Sequence, residues 1–168
     1  MMELTLGIHY INDEVKDLYE KEGGVKTAGS AGFDLICVED MELEPFKHYF
    51  VNLGLIVNIP EGYYMEISPR SSIFYKNGVI QTNSHGIIDR DYSGPEDILR
   101  LPIMWCDSDA LYIGTQPDLL GGKEPRKLKI SKGTRLCQFV LRKKIEFNIE
   151  DYDPSGSESR GGFGSTGR

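Results

Sequence analysis

Apolar residues along this chain alternate, or run in short blocks, far more often than they recur at helical spacing. The stretch 49–59, from Tyr49 to Ile59, is β-branched and aromatic and reads as strand, with Pro60-Glu61-Gly62 following as a turn. The strand pattern resumes over 63–67 and returns at 128–130 and 136–141. One segment departs from it. Between residues 12 and 22, Val15, Leu18, Tyr19 and Glu22 fall at helical spacing, with Asn12 or Asp13 placed to cap. Lys76-Asn77-Gly78 reads as a hairpin turn, and Pro95-Glu96-Asp97 as a strand edge or bulge. Short strands punctuated by Gly, Pro and Asn predict an all-β jelly roll or distorted β-barrel rather than βαβ units, with at most one short helix.

Composition narrows the class. A chain of 168 residues, 39% hydrophobic, is expected to form one domain with a core. No apolar run is long enough to span a bilayer, and Met1-Met2-Glu3-Leu4-Thr5 lacks the basic-then-apolar pattern of a signal. Cys37, Cys106 and Cys137 are scattered, with no CxxC pair, so buried reduced thiols are expected rather than disulfides or zinc. That usage suits a cytoplasmic location. A net charge of −7 argues against a nucleic-acid groove, which needs a basic stripe. It leaves room for a triphosphate, whose charge a divalent cation neutralises.

Four separated segments carry the candidate chemistry: Ala31-Gly32-Phe33-Asp34-Leu35, Pro69-Arg70-Ser71-Ser72, Gly86-Ile87-Ile88-Asp89-Arg90-Asp91-Tyr92, and the tail from Arg160 to Gly167. In the tail, glycine N–H groups can wrap phosphate oxygens, Ser165 and Thr166 add donors, and Phe163 can stack on a base. The bland alternative is a low-complexity terminus. Asp89 follows two apolar residues at an expected strand end and is the candidate general base; a turn aspartate is its alternative. Arg70, Ser71 and Ser72 offer a guanidinium fork and hydroxyls to phosphates. Gln138 and Asp34 are polar residues inside apolar stretches, where buried groups need partners.

In order and spacing these segments, together with Gly133-Thr134-Arg135-Leu136-Cys137-Gln138, resemble the five motifs of the trimeric all-β dUTPases. The resemblance runs from about Ala28 to the C-terminus. It implies hydrolysis of dUTP to dUMP and pyrophosphate by an Asp89-activated water, with Mg²⁺ chelating the triphosphate and Asp34 holding the waters of that ion. It implies phosphate contacts from Arg70, Ser71, Ser72, Gln138, Arg160, Ser165 and Thr166. Uracil and deoxyribose would be read by Asn83, by the backbone of Gly86, Ile87 and Ile88, by Tyr92 and by Phe163. A homotrimer with shared active sites is expected: a β domain over 1–153 and a flexible arm over 154–168 that completes a neighbour's site.

Departures from the family pattern are specific. His85 stands where an apolar residue or proline is usual. Arg160 lies three residues before Phe163, whereas the family places its arginine five before, at the position of Glu158 here. An insertion over about 106–127 reads as a tolerated surface loop, or more sharply as a partner-binding arm on a regulatory module of this fold; it points to a phage or viral type, acting in host cytoplasm. A dCTP deaminase is the competing enzyme, but the position for its proton-shuttling glutamate is Leu99.

Overall fold

The computed structural model describes residues 4–107 and 126–159. Its elements run β1 (Gly7–Tyr10), α1 (Asp13–Glu22), β2 (Phe33–Ile36), β3 (Met41–Leu43), β4 (His48–Asn52), β5 (Leu55–Asn58), β6 (Tyr63–Pro69), α2 (Ile73–Asn77), β7 (Val79–Gln81), β8 (Gly86–Ile88), β9 (Arg100–Trp105), β10 (Leu128–Ile130) and β11 (Arg135–Lys143). Among the described residues the strands form four small sheets, in the orders β1-β5, β10-β3, β2-β11-β6-β8 and β4-β9-β7. Every pairing between these strands is antiparallel.

Alternation along the strands decides which side chains fill the interior. In β9, Leu101, Ile103 and Trp105 are buried, whereas Arg100, Pro102 and Met104 are not. Leu35, Leu55, Met65, Ile67 and Leu136 join them in one continuous core. Each such aliphatic side chain contributes about 1.5–3 kcal/mol on burial.

The predicted helix is present as α1. Asn12 caps it, its side-chain oxygen accepting from Val15 N at 2.8 Å. Val15 and Tyr19, one turn apart, form the buried face. The Tyr19 hydroxyl donates to the Leu53 carbonyl at 2.7 Å and accepts from Ile36 N at 3.3 Å, fastening the helix to the sheets. Gly23 follows the helix, its N–H donating to the Tyr19 carbonyl, and it has no room for a side chain, since a Cβ there would lie 2.4 Å from the Tyr19 ring.

Three expectations need correction. The stretch 49–59 is two strands, because Gly54 turns the chain at φ 68°, and a Cβ on it would come within 2.8 Å of both Val15 and Val38. Lys76-Asn77-Gly78 is not a hairpin turn: it ends α2, a second helix, with Gly78 at φ 67° donating its N–H to the Phe74 carbonyl. The same preference for positive φ serves a hairpin and a helix C-terminus, so the dipeptide alone cannot distinguish them. Pro95-Glu96-Asp97 is a turn, closed by Asp97 N to Gly94 O at 3.0 Å and by Gly94 N to the Asp97 carboxylate at 2.7 Å.

Candidate functional site

One row across the largest sheet assembles a polar cleft. Asp34 on β2 pairs with Gln138 on β11, and Gln138 pairs with Ser68 on β6. Two residues beyond Ser68 the chain leaves the sheet at Arg70, whose N–H donates to the Leu136 carbonyl at 3.1 Å. Asp34 is nearly buried, and its carboxylate bridges two guanidinium groups: Arg70 Nε at 3.3 Å on one oxygen and Arg135 Nη1 at 3.5 Å on the other. A buried carboxylate is tolerated when it is paired in this way. Two cations on one anion leave the cluster a net positive charge.

That charge faces a cleft of about 350 Å³, lined by Lys26, Ser30, Gly32, Asp34, Arg70, Ser71, Arg135 and Gln138, among others. Gly32 makes room for the Gln138 amide, because a Cβ at that position would sit 2.6 Å from Gln138 Oε1. The cleft thus combines forked donors, an exposed hydroxyl and a carboxamide, which suits phosphate oxygens. Among the expected residues, Asp34, Arg70, Ser71 and Gln138 converge here. Ser72 does not line this cleft; it opens α2 and lines an adjoining one with Lys76 and Thr134.

Arg135, Lys26 and Ser30 were not singled out from the sequence. Strict alternation puts Arg135 and Gln138, three apart, on opposite faces of a strand. A register shift between Arg135 and Cys137 resets the alternation, and both side chains reach the same cleft. Cys37 and Cys137 are buried free thiols, as expected, and Cys106 is half-buried. Burial pushes the ionisation of Cys37 and Cys137 upward, keeping both as neutral thiols.

The third segment lies elsewhere in the chain. β8 pairs with β6 through Ile67 to Gly86, Glu66 to Ile87 and Met65 to Ile88. Gly86 is buried, and a Cβ on it would come 3.3 Å from that of Ile67. Just before the strand, Ser84 takes φ 60° and His85 N donates to Asn83 O at 2.6 Å, a tight turn that presents Asn83. His85 is on the surface, its Nδ1 3.4 Å from Glu66, which also pairs with Arg142. Asp89 emerges at the end of β8, exposed. Among the described residues its carboxylate makes no hydrogen bond or ion pair, while its backbone carbonyl accepts from Tyr92 N at 3.2 Å and closes the turn that follows β8. Tyr92 stands after β8, outside the strands, its hydroxyl donating to the Ile98 carbonyl at 3.3 Å.

Asp89 lines a second cleft, of about 580 Å³, together with Tyr64, Arg90, Asp91 and Lys144. Gln138 pairs with Ser68, whereas Ile88 pairs with Met65, three residues along β6, and Asp89 lies one further. Four residues of strand separate the two rows by about 13 Å. Arg160, Phe163, Ser165 and Thr166 lie outside the described residues, as does most of the insertion.

A family profile described as dUTPase matches residues 24–100. The SPbeta prophage-derived deoxyuridine 5'-triphosphate nucleotidohydrolase of Bacillus subtilis is 38% identical over 135 residues, covering 80% of this chain and 82% of that protein. In structure, the Staphylococcus bacteriophage 80alpha dUTPase, as a variant solved with dUpNHpp, superposes with a TM-score of 0.72 at 21% identity, covering 98% of this chain and 99% of that one. A dUTPase variant from phage phi11 of S. aureus, described with a structural Mg(II) ion, gives 0.68 at 19% identity over 89% of this chain and 97% of that one. With one row of strands building a phosphate-suited cleft, and with these likenesses extending over most of its length, the chain belongs to the dUTPase family of nucleotide hydrolases.

Proposed function

We propose that this chain hydrolyses dUTP to dUMP and pyrophosphate, with Asp89 as general base. The observation that carries the mechanism is the unengaged Asp89 carboxylate just past the end of β8, the strand whose other end follows the turn that presents Asn83. Asp89 accepts a proton from water as the water oxygen attacks the α-phosphorus. The bond from that phosphorus to the bridging oxygen breaks, and pyrophosphate leaves. Arg70, Ser71, Gln138 and Arg135 bind and orient the phosphates, and the guanidinium groups absorb charge as the bridge breaks. Ser72 contributes from the same loop, through its backbone.

Among the described residues no group of three His, Cys, Asp or Glu side chains could ligate a metal directly. Asp34, the one carboxylate among the described residues that line the phosphate cleft, has both oxygens paired with guanidinium groups, so it suits an outer contact to the waters of an ion brought in by the triphosphate rather than direct ligation. Bound in that way, Mg²⁺ would neutralise phosphate charge, with Asp34 holding its waters.

Asn83 and the backbone of Gly86, Ile87 and Ile88 read the base, and Tyr92 lies against the deoxyribose. Arg160, Phe163, Ser165 and Thr166 close over the nucleotide from the C-terminal arm. Within one subunit about 13 Å of strand separates the Asp89 row from the Gln138 row. This supports a homotrimer in which one subunit lends its phosphate cleft and another its Asp89 hairpin. The segment after β11 agrees, because Ile145, Phe147 and Ile149 alternate along it and are largely exposed in the single chain.

The deaminase alternative is disfavoured by the position that would need a glutamate. Leu99 is completely buried in the core, and Glu96 is exposed in a turn.

Asp89→Asn tests the mechanism. It retains shape but accepts no proton at neutral pH, so turnover of dUTP should fall by about 10²–10⁴-fold while nucleotide binding survives. Near wild-type turnover would reduce Asp89 to a turn residue.

A further inference from the structure

Gln81, the last residue of β7, is buried at 8% exposure and lines neither the phosphate cleft nor the Asp89 cleft. Its amide nitrogen donates to the Ile67 carbonyl at 3.2 Å and to Asn83 Oδ1 at 2.8 Å. Its own oxygen, Oε1, is buried with no hydrogen-bond partner among the described residues. The orientation of both amides follows from chemistry. A backbone carbonyl only accepts, so the Gln81 atom beside Ile67 O is nitrogen. That nitrogen has a second hydrogen to place, so the Asn83 atom facing it is oxygen. Asn83 Nδ2 is left pointing away, toward Gly86, where a Cβ would lie 3.6 Å from it. Gly86 is the first residue of the hairpin strand.

We propose that Gln81 is a specificity-positioning residue, fixing the Asn83 carboxamide so that its N–H donors face the pyrimidine. This rests on the assignment of Asn83 to the base. A fixed donor suits the 4-keto oxygen of uracil and meets the 4-amino group of cytosine donor to donor. Without Gln81 the Asn83 amide can turn over and present its oxygen to either base. The orphaned Oε1 is consistent with such a role. What the amide supplies is its nitrogen, which makes two bonds, one of them to Asn83, while its oxygen makes none.

The test is a double-mutant cycle of Gln81→Met and Asn83→Ala, with kcat and KM measured for dUTP and dCTP and melting temperature recorded alongside. Gln81→Met should lower the preference for dUTP over dCTP by roughly ten-fold, about the worth of one neutral hydrogen bond. The change should reside in KM rather than kcat, with a modest fall in melting temperature as the Ile67 carbonyl loses a donor. In the Asn83→Ala background, Gln81→Met should change selectivity no further. A lower melting temperature with selectivity intact would make Gln81 a purely structural residue and overturn the proposal. So would an equal effect in both backgrounds. If Asn83→Ala itself leaves selectivity unchanged, the assignment of Asn83 to the base fails. If Asn83→Ala destroys selectivity while Gln81→Met spares it, only the role of Gln81 fails. Should Gln81→Met not fold, Gln81→Glu replaces it. It keeps the length and, ionised, puts an acceptor where the donor stood, so at least as large a loss of selectivity is expected, and retained selectivity overturns the proposal.

Discussion

Single residues in this chain carry constraints that no pairwise contact reveals. Gly32 is one. Its missing side chain gives the Gln138 amide its place in the phosphate cleft, since a Cβ would lie 2.6 Å from Oε1 and 3.2 Å from Cδ. Gly32→Ala should push the far end of a flexible side chain rather than the backbone. The expected result is a loss of about ten-fold in kcat/KM for dUTP, the worth of one displaced hydrogen bond, with the melting temperature nearly unchanged. Kinetics and a thermal melt on the same preparation check both halves. Asp34 and Gln138 were legible in the sequence, because each is polar within an apolar run and must find a partner. Arg135 was not, because its place in the cleft depends on a bulge that shifts the alternation. Gln81 was not either: its partners, Ile67 and Asn83, come together only once β7 ends beside β6 and the Ser84 turn is made.

Elements show the same division between local and non-local information. α1 was readable because its cap, its apolar face and its length are all local signals, and Asn12, Val15 and Tyr19 occupy the expected roles. α2 was missed because five residues give too little periodicity, and Asn77-Gly78 signals positive φ without saying which structure it ends. What holds α1 to the sheets is the Tyr19 hydroxyl, bonded to Leu53 and Ile36. Tyr19→Phe should destabilise the fold by about 1–3 kcal/mol, because a buried carbonyl loses its donor. Burial pushes the Tyr19 phenol above its ordinary value of 10.0. The sign follows: the neutral phenol favours the folded state below that value, and the advantage is lost as pH rises and the unfolded tyrosine ionises. Urea melts above pH 10 should therefore show a shallower alkaline loss of stability in Tyr19→Phe than in the wild type. Equal slopes would mean other groups govern the alkaline limb.

For the whole molecule, the strand pattern and the order of motifs were enough to read the all-β fold and the family. Sequence order could not say which motifs meet. Asp34, Arg70 and Gln138 come together although they lie far apart in the chain, because β2, β11 and β6 are neighbours in one sheet. Asp89, just past the end of the next strand of that sheet, lies in another row and lines another cleft. The distance between those rows makes the behaviour of mixed populations predictable. If each site draws its phosphate cleft and its base from different subunits, Asp89→Asn and Arg70→Ala chains, each inactive alone, should restore part of the turnover when co-expressed. Failure of any mixture to exceed the separate variants would count against shared sites. The shape of a doping curve carries further information. A chain bearing one of these substitutions spoils one site wherever it is incorporated, so activity should fall in proportion to its share of the population. A chain bearing both spoils two, and activity should fall as the square of the wild-type share. A defective copy of the gene would then be tolerated or dominant according to how many of the two rows it damages, not according to how badly it damages either.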